Sequence, residues 1–202
     1  MTVDPRFARS AGALEAAILQ LAAERPIEDL TVSEIARAAH VSRATFYNHA
    51  DSPEELLARV LIVDLDAVRG DFLRGAVTTD IVDQWRSSEV ALMSHVLDHE
   101  DVYRTGLAPT QANRGTALAA ILARHFEATM LQYAEAVAPR LFADPSQRLR
   151  LEMEAAFASH GLVGAIRAWL LSPAPRDREV ASEILVEATP RYWFEITELP
   201  QR

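Results

Sequence analysis

Two very short helical segments, separated by a two-residue break, lie between Thr31 and His49. The segment reads TVSEIARAAHVSRATFYNH. Thr31 and Glu34 are spaced as a capping box at the start of the first helix, and Ser42 stands at the N-cap of the second. Helices of about nine and eight residues are too short to be stable alone, so each must pack against a neighbour. This arrangement predicts a helix-turn-helix.

The apolar residues of this segment are spaced to form a small internal core, which consists of Ile35, Ala36, Val41 and Phe46. The outward positions of the second helix are Arg43, Ala44, Tyr47 and Asn48, with Thr45 and His49 at the margins. An arginine can donate to guanine O6 and N7, while hydroxyl and imidazole groups reach phosphate oxygens. The second helix of such a motif enters the major groove by its N-terminal end, which favours Arg43 for base contact. We therefore expect double-stranded DNA as a partner.

The remainder of the chain also favours helices throughout. Helix formers dominate, and no segment alternates apolar and polar residues over the length of a strand. The predicted helices, about nine in number, cover residues 4–24, 31–39, 42–49, 52–74, 79–99, 100–106, 110–137, 144–171 and 175–197. Ser52 with Glu55, and Asp144 with Gln147, supply further caps, and Pro190 should kink or end the last helix. The chain is predicted to be all-α.

The charge of the chain is distributed unevenly. Its formal net charge is −9, yet residues 1–50 contain five Arg and six acidic residues, so most of the acidity belongs to the remainder. The chain has no cysteine, which excludes disulfides, thiolate metal sites and a cysteine nucleophile. Residues 1–20 show no secretory signal, and the least polar stretch, residues 155–171, is too short for a bilayer span. We expect a cytoplasmic protein without a membrane partner.

Residues 11–61 resemble the N-terminal domain of the tetracycline-repressor (TetR) family of transcriptional regulators. The matching runs are 14–17, 30–36 and 39–47, followed by the Ser52 cap with residues 55–57. The resemblance implies a three-helix DNA-binding domain in residues 1–52 and a helical ligand-binding and dimerisation bundle in residues 53–202. It also implies a homodimer that represses transcription from a near-palindromic operator and releases it when a small, largely hydrophobic effector binds. No cofactor is expected.

The same resemblance assigns roles to individual positions. It places the base-facing pair at Arg43 and Ala44. The phosphate or positioning contacts that it implies are Thr31, Ser42, Thr45, Tyr47, His49 and Ser52, and Asn48 lies on the same outward face. Thr31, Ser42 and Ser52 are explained equally well as helix caps with no further role.

The chain departs from the family pattern at three positions. His40 stands where a glycine is usual in the turn, so we expect a positive φ there, which His tolerates better than most residues. Ala50 replaces an aromatic residue, which loosens the domain unless Phe7 or another side chain fills the volume. Pro53 replaces a common lysine, and the loss of one phosphate contact would lower the salt dependence of binding by about 0.9 per half-site.

The effector pocket and the dimer interface are expected in residues 53–202. The candidate pocket residues are Trp85, Met93, Tyr103, Phe126, Met130, Tyr133 and His160, and His125 is a further polar candidate. Their spacing of three to four residues is equally that of plain helix core. The run 155–171 is apolar on nearly every face, so it should be covered on all sides. The candidate dimer residues are Ala158, Gly161, Leu162, Ala165, Trp169, Ile184, Leu185 and Ala188.

Two alternative interpretations differ from that of a ligand-responsive regulator. His95 and His99 could hold a metal ion on one helix face, but two solvated histidines at an acidic helix end are the simpler explanation, so no metal site is expected. No hydrolase, P-loop or metalloprotease motif occurs, so an enzyme is not expected. The second alternative is a small-molecule-binding or protein-interaction protein whose helix-turn-helix is vestigial. Sequence-selective DNA binding that is lost in Arg43→Ala and Tyr47→Ala would reject it.

Overall fold

The computed structural model describes residues 4–75, 80–109 and 116–196. Over these residues every regular element is a helix, which confirms the all-α prediction. The α-helices are α1 (Pro5–Glu24), α2 (Val32–Ala38), α3 (Arg43–Tyr47), α4 (Pro53–Gly75), α5 (Ile81–Asp98), α6 (Glu100–Gly106), α7 (Ala117–Val137), α8 (Pro139–Ala143), α9 (Pro145–Leu170), α10 (Arg178–Ala188) and α11 (Tyr192–Glu195). A 3-10 turn covers Ile27–Asp29. None of the described helices is long and apolar enough to cross a membrane.

The observed helices differ from the predicted ones mainly near prolines. The predicted boundaries at Thr79, Thr110 and Thr197 lie outside the described residues. Helix α10 begins later than predicted because the Asp177 carboxylate accepts from two backbone N–H groups and caps the helix there. It ends two residues before Pro190, as predicted. The single predicted helix 175–197 is divided near Pro190 into α10 and α11. The short α8 was not predicted, because a single turn has too few residues to show a periodic pattern.

The chain packs as two compact units. The first comprises residues 1–63 and 99–120, and the second comprises residues 64–98 and 121–202. In the first unit α1 packs against α2 and α6, and the Thr105 hydroxyl donates to the Ala23 carbonyl at 2.8 Å. The division falls within α4 and α7, so these units are not the same as the two domains predicted to meet after residue 52. That functional boundary stays a prediction.

An aromatic cluster forms the centre of the second unit. The rings of Phe72, Trp85 and Tyr133 lie with centroids 5.0–5.4 Å apart, a separation at which aromatic pairs attract one another. The Tyr133 hydroxyl donates to the carbonyl of fully buried Trp193 at 3.1 Å. Helices α5 and α10 pack side by side, and the Ser182 hydroxyl of α10 donates to the Arg86 carbonyl of α5. This packing fixes the helices that surround the cavity described below.

Candidate nucleic-acid interface and cavity

The entry into α2 is held by a complete capping box. The Thr31 hydroxyl accepts from the Glu34 N–H, and the Glu34 carboxylate accepts from the Thr31 N–H at 2.9 Å and from its hydroxyl at 2.7 Å. Arg25 donates to the same carboxylate at 3.0 Å. These hydrogen bonds from Thr31 and Arg25 lower the pKa of Glu34 to about 2. The start of α2 is therefore fixed at every physiological pH.

The turn between α2 and α3 has the geometry that the sequence predicts. His40 adopts a φ of 54°, and it is the non-glycine residue with positive φ among the described residues. The Val41 N–H then donates to the Ala36 carbonyl at 2.9 Å. Ser42 caps α3 by accepting from the Thr45 N–H at 3.0 Å. Phe46 is fully buried beneath the turn, so α3 is held against α2 by its inward face.

The outward face of α3 is free to meet a ligand. Arg43, Ala44, Tyr47 and Asn48 are all exposed, and Thr45 is half-buried. The Tyr47 ring is 50 % exposed and rests edge-on against Phe46, with centroids 5.7 Å apart. A guanidinium at the first residue of α3 and a phenol one turn later form a surface that can donate hydrogen bonds to a DNA groove and to phosphates.

His49 is the position at which the structure departs from the expected contacts. Its side chain is only 7 % exposed, and its Nε2 lies 2.8 Å from the Ser10 hydroxyl of α1. The Phe7 ring packs over it with a centroid distance of 4.1 Å. Burial lowers the pKa of His49. His49 therefore joins α1 to the end of α3 and is an internal positioning residue, because its buried ring is not presented to a phosphate.

The residues that follow His49 include Ala50, which departs from the family pattern, and the Ser52 cap of α4. Ala50 is buried, and the Phe7 ring packs on the adjacent His49. Ser52 caps α4 by accepting from the Glu55 N–H at 3.1 Å. Glu55 differs from a regular capping box, because its carboxylate accepts from the Asp51 N–H and not from that of Ser52. Thr31, Ser42 and Ser52 thus all act as caps, and their contacts with phosphate stay a prediction.

A cavity of about 230 Å³ lies within the second unit. Its walls come from α4, α5, α7, α9 and α10, and most of the lining side chains are apolar. Three of the predicted pocket residues line it, namely Trp85, Phe126 and Met130. Such an apolar cavity with few polar groups is the usual form of a small-molecule site.

The other predicted pocket residues do not line this cavity. Met93 and Tyr133 are buried in the core of the second unit, and the hydroxyl of Tyr133 is used by Trp193. Tyr103 is fully buried in the first unit. His160 is exposed on α9, with its Nδ1 2.9 Å from the Ala156 carbonyl of its own helix. Spacing alone could not separate these positions, since core and cavity residues share it.

Most of the predicted dimer residues also line the cavity in the single chain. They are Ala158, Gly161, Leu162 and Ala165 of α9 with Leu185 and Ala188 of α10. Ile184 is exposed and Trp169 is half-buried.

Three exposed apolar side chains of α9 were not predicted as part of a surface. They are Leu149, Met153 and Phe157, which follow one another at intervals of four residues, and Phe157 is 77 % exposed. That interval is the signal that could have identified an uncovered apolar stripe.

The cavity also contains ionisable groups. Glu89 was not predicted, although its position one turn after Trp85 and one turn before Met93, on an apolar face, marks it as buried. Burial raises the pKa of Glu89 to about 7, against a smaller opposing effect of a hydrogen bond from Trp85. Burial and the nearby Arg69 lower the pKa of His125, which lines the same cavity. Burial in the cavity thus favours the neutral forms of both Glu89 and His125.

The two histidines weighed as metal ligands have different environments. His95 is buried in the second unit, with its Nδ1 3.8 Å from a carboxylate oxygen of Asp64. His99 stands at the N-cap of α6 in the first unit and is half-buried. The expectation that both are solvated is wrong for His95, because its helix turns that side chain inward.

Comparison with known proteins identifies the N-terminal part of the chain. Residues 14–60 match the family model described as bacterial regulatory proteins, tetR family. This match covers α2, α3 and the turn between them, together with parts of α1 and α4. No curated protein sequence matches the chain.

Three solved structures share the fold over nearly the whole chain. The fatty acid degradation regulator FadR from Bacillus halodurans is 13% identical, with 100% of each chain covered and a TM-score of 0.61. NalD, the secondary repressor of the MexAB-OprM multidrug efflux pump in Pseudomonas aeruginosa, is 18% identical over 91% of this chain and 96% of its own, with a TM-score of 0.58. RolR in complex with resorcinol is 18% identical over 96% of each chain, with a TM-score of 0.53.

These comparisons agree with the geometry of the first unit. The matched residues build a capped helix-turn-helix with an exposed second helix, and the structural likeness extends the regulator fold beyond them. The chain thus has the fold of a DNA-binding transcriptional regulator, and its residues 14–60 match the tetR family of bacterial regulatory proteins.

Proposed function

We propose that the protein is a homodimeric transcriptional repressor that binds a near-palindromic operator through α3 and releases it when a small hydrophobic effector occupies the cavity of the second unit. The observation that carries this proposal is the outward face of α3, where Arg43 and Tyr47 are exposed on a helix whose inward face is fully buried. The proposed protein is cytoplasmic and not an enzyme, as expected of a regulator with these relatives.

The position of Arg43 suits direct reading of a base. It is the first residue of α3, directly after the Ser42 cap, and the N-terminal end of a recognition helix enters the major groove. A guanidinium there can donate two hydrogen bonds to one guanine. Ala44 beside it leaves room for close approach, and the Tyr47 hydroxyl one turn later can reach a phosphate. The proposed contacts thus combine base reading with positioning on the backbone.

A second copy of the chain is the proposed cover for the exposed apolar side chains of α9 and α10. Leu149, Met153 and Phe157 of α9, and Val180 and Ile184 of α10, are exposed large apolar residues. Contiguous exposed apolar residues of this kind mark interaction surfaces. A two-fold dimer would present two copies of α3, and binding to successive major grooves on one face of DNA requires them about 34 Å apart.

The cavity supports a small effector with a largely apolar body. Its volume of about 230 Å³ is just below the range of about 300–1,000 Å³ that holds drug-sized ligands. The solved complex of RolR with resorcinol shows a small aromatic molecule bound to a protein of this fold. An effector acts by preferring one of two conformations, so it weakens operator binding by its difference in affinity between them.

In vitro selection of bound sequences from a random duplex pool tests the proposal. Purified wild-type protein is compared with Arg43→Ala and with Arg140→Ala, a matched loss of one positive charge at an exposed position of α8. We expect the wild type and Arg140→Ala to enrich the same inverted repeat, with half-sites about 10 base pairs apart or a multiple of that. We expect Arg43→Ala to lose the enrichment or to accept any base at one position of each half-site.

The selection is made at two salt concentrations, because contacts with phosphate weaken as salt rises. A folded wild-type protein that enriches no sequence at either concentration would contradict the proposal. That result would favour a helix-turn-helix that no longer binds DNA. Enrichment of a single half-site would contradict only the dimer.

A further inference from the structure

The cavity of the second unit contains two buried polar groups on opposing helices. Glu89 lies on α5 and is 8 % exposed, while Ser159 lies on α9 and is 1 % exposed. The Oε2 of Glu89 and the Oγ of Ser159 have no hydrogen-bond partner among the described residues. Both residues line the cavity. Two residues of a largely apolar cavity wall thus each have a buried oxygen whose hydrogen bonds are not made.

Such unmade hydrogen bonds are unfavourable and require an explanation. A buried polar group without a partner destabilises the fold, and most proteins avoid it. The cations that face the cavity do not serve Glu89. A guanidinium nitrogen of Arg69 on α4 lies 2.6 Å from the Oδ1 of Asp66. The Nδ1 of His125 on α7 lies 3.6 Å from the same oxygen. Because both are engaged with Asp66, neither supplies the missing donor to Glu89.

We propose that the effector is a small apolar molecule bearing a primary or secondary amine, whose ammonium N–H groups donate to Glu89 and Ser159 while its apolar body fills the rest of the cavity. The inference rests on the proposed effector site and names the class of molecule that it takes. An ammonium supplies more than one N–H donor and a positive charge, so it satisfies both oxygens and balances the carboxylate. A neutral hydroxyl supplies one donor and no charge. Glu89 and Ser159 should therefore favour the binding of an amine over that of an alcohol.

The proton balance of binding follows from the state of Glu89. Burial raises its pKa to about 7, so the carboxyl is largely protonated in mildly acid solution. A bound ammonium favours the carboxylate, so the Glu89 proton is released to solvent while the amine keeps its own. The other charged or titratable groups that face the cavity are Arg69 and His125, and burial lowers the pKa of His125. Neither lies in the proposed contact.

Isothermal titration calorimetry with three matched probes tests the inference on the full chain. The probes 4-phenylbutylamine, 4-phenyl-1-butanol and 5-phenylpentanoate share one phenylbutyl body and differ only in the terminal amine, hydroxyl or carboxylate. We expect the amine to bind the wild type at least tenfold more tightly than the alcohol, as a buried pair of opposite charges favours binding. We expect Glu89→Gln to reduce this preference to within twofold.

Two further measurements separate the proposed contact from a general effect of charge. Glu135→Gln, which removes the same charge from an exposed position of α7, should behave as the wild type. Titrations of the wild type in buffers of different ionisation enthalpy should show release of about 0.9 proton per amine at pH 6 and about 0.1 at pH 8, as expected of a group with a pKa near 7. The alcohol should release none, and Glu89→Gln should abolish the release.

The outcomes distinguish failure of this inference from failure of the proposed function. Equal binding of the amine and the alcohol, or preferred binding of the carboxylate, would overturn the amine and leave the effector cavity standing. An amine preference that survives in Glu89→Gln would overturn the role of Glu89. If none of the three probes binds, both the amine and the effector cavity are contradicted, while the DNA-binding role is judged by the selection experiment.

Discussion

Over the described residues, the two units differ in whether all of their buried polar side-chain atoms have hydrogen-bond partners. In the first unit, Thr31, Ser42 and Ser52 each accept from a backbone N–H at the start of a helix, and Ser10 meets the ring of His49. In the second unit, Glu89 and Ser159 are buried with an oxygen that has no partner, and every such buried side-chain atom found among the described residues belongs to this unit. This difference is what we expect if the first unit binds DNA with groups already in place and the second unit binds a ligand that donates to Glu89 and Ser159.

The largest expected effect concerns the inward face of α3. Phe46 is fully buried, so Phe46→Ala should lower the free energy of unfolding of the first unit by about 3–5 kcal/mol. Tyr47→Ala, at the next residue and half-exposed, should lower it by about 0.5 kcal/mol while abolishing selective DNA binding. Denaturant unfolding followed by circular dichroism measures both. Equal destabilisation by the two substitutions would mean that the two faces of α3 do not have separate roles.

The second effect concerns the cost of the unpaired carboxyl in the second unit. The folded pKa of Glu89, about 7, is raised above its unfolded value of 4.5, so the stability present below pH 4.5 is lost as the pH rises through 7. This loss amounts to about 3 kcal/mol. The free energy of unfolding of Glu89→Gln relative to the wild type should therefore increase by about that amount between pH 4.5 and pH 8.

The comparison with Glu89→Gln isolates this one group. The lowered pKa values of His49 and His125 make the free energy of unfolding rise with pH, opposite to the effect of Glu89. Both histidines are present in Glu89→Gln and in the wild type, so their contributions cancel in the difference. Exposed Glu135→Gln should follow the wild type at every pH. A constant difference between Glu89→Gln and the wild type would show that Glu89 ionises as it does in water.

A smaller effect is expected at the first helix cap. Thr31→Ala removes the hydroxyl that bonds both the Glu34 N–H and its carboxylate, which should lower the free energy of unfolding by about 1 kcal/mol. Ser33→Ala, at an exposed position inside α2, is the matched control and should have little effect. Thermal unfolding at pH 7 compares the two. If Ser33→Ala costs as much as Thr31→Ala, the capping box does not stabilise α2.

The smallest effect concerns the salt dependence of DNA binding. Pro53 begins α4 directly after the Ser52 cap, where the family commonly has a lysine. Pro53→Lys should add one phosphate contact per half-site and steepen the slope of log affinity against log salt by about 0.9 for each half-site. Fluorescence anisotropy of the selected duplex over a range of salt concentrations measures this slope. An unchanged slope would place residue 53 away from the phosphates.

The parts of the molecule that the sequence predicts correctly depend on nearby residues. The Thr31 capping box, the Ser42 cap and the positive φ of His40 each involve residues within a few positions of one another. The burial of His49 was not predicted, because its partner Ser10 lies 39 residues away. Local rules of helix capping therefore predicted the α2–α3 pair, and they carry no information on such distant pairs.

The sequence predicts an apolar cavity in this part of the chain, but it does not predict which residues line that cavity. Trp85, Phe126 and Met130 line it, whereas Tyr133, with the same helical spacing, is core. Whether an apolar residue faces a void or a neighbour depends on how five separate helices pack, which periodicity within one helix does not specify. The one exception is Glu89, since a charged residue on an apolar helix face can be recognised from the sequence.

The affinity of single variants for the selected duplex tests the central claim most directly. The claim is that the first unit reads DNA with groups that are already in place, while the unpaired groups of the second unit serve another ligand. Fluorescence anisotropy without effector should show that Arg43→Ala loses at least tenfold in affinity, whereas Glu89→Gln binds as tightly as the wild type. An unchanged affinity in Arg43→Ala, or an equal loss in Glu89→Gln, would contradict this division of roles.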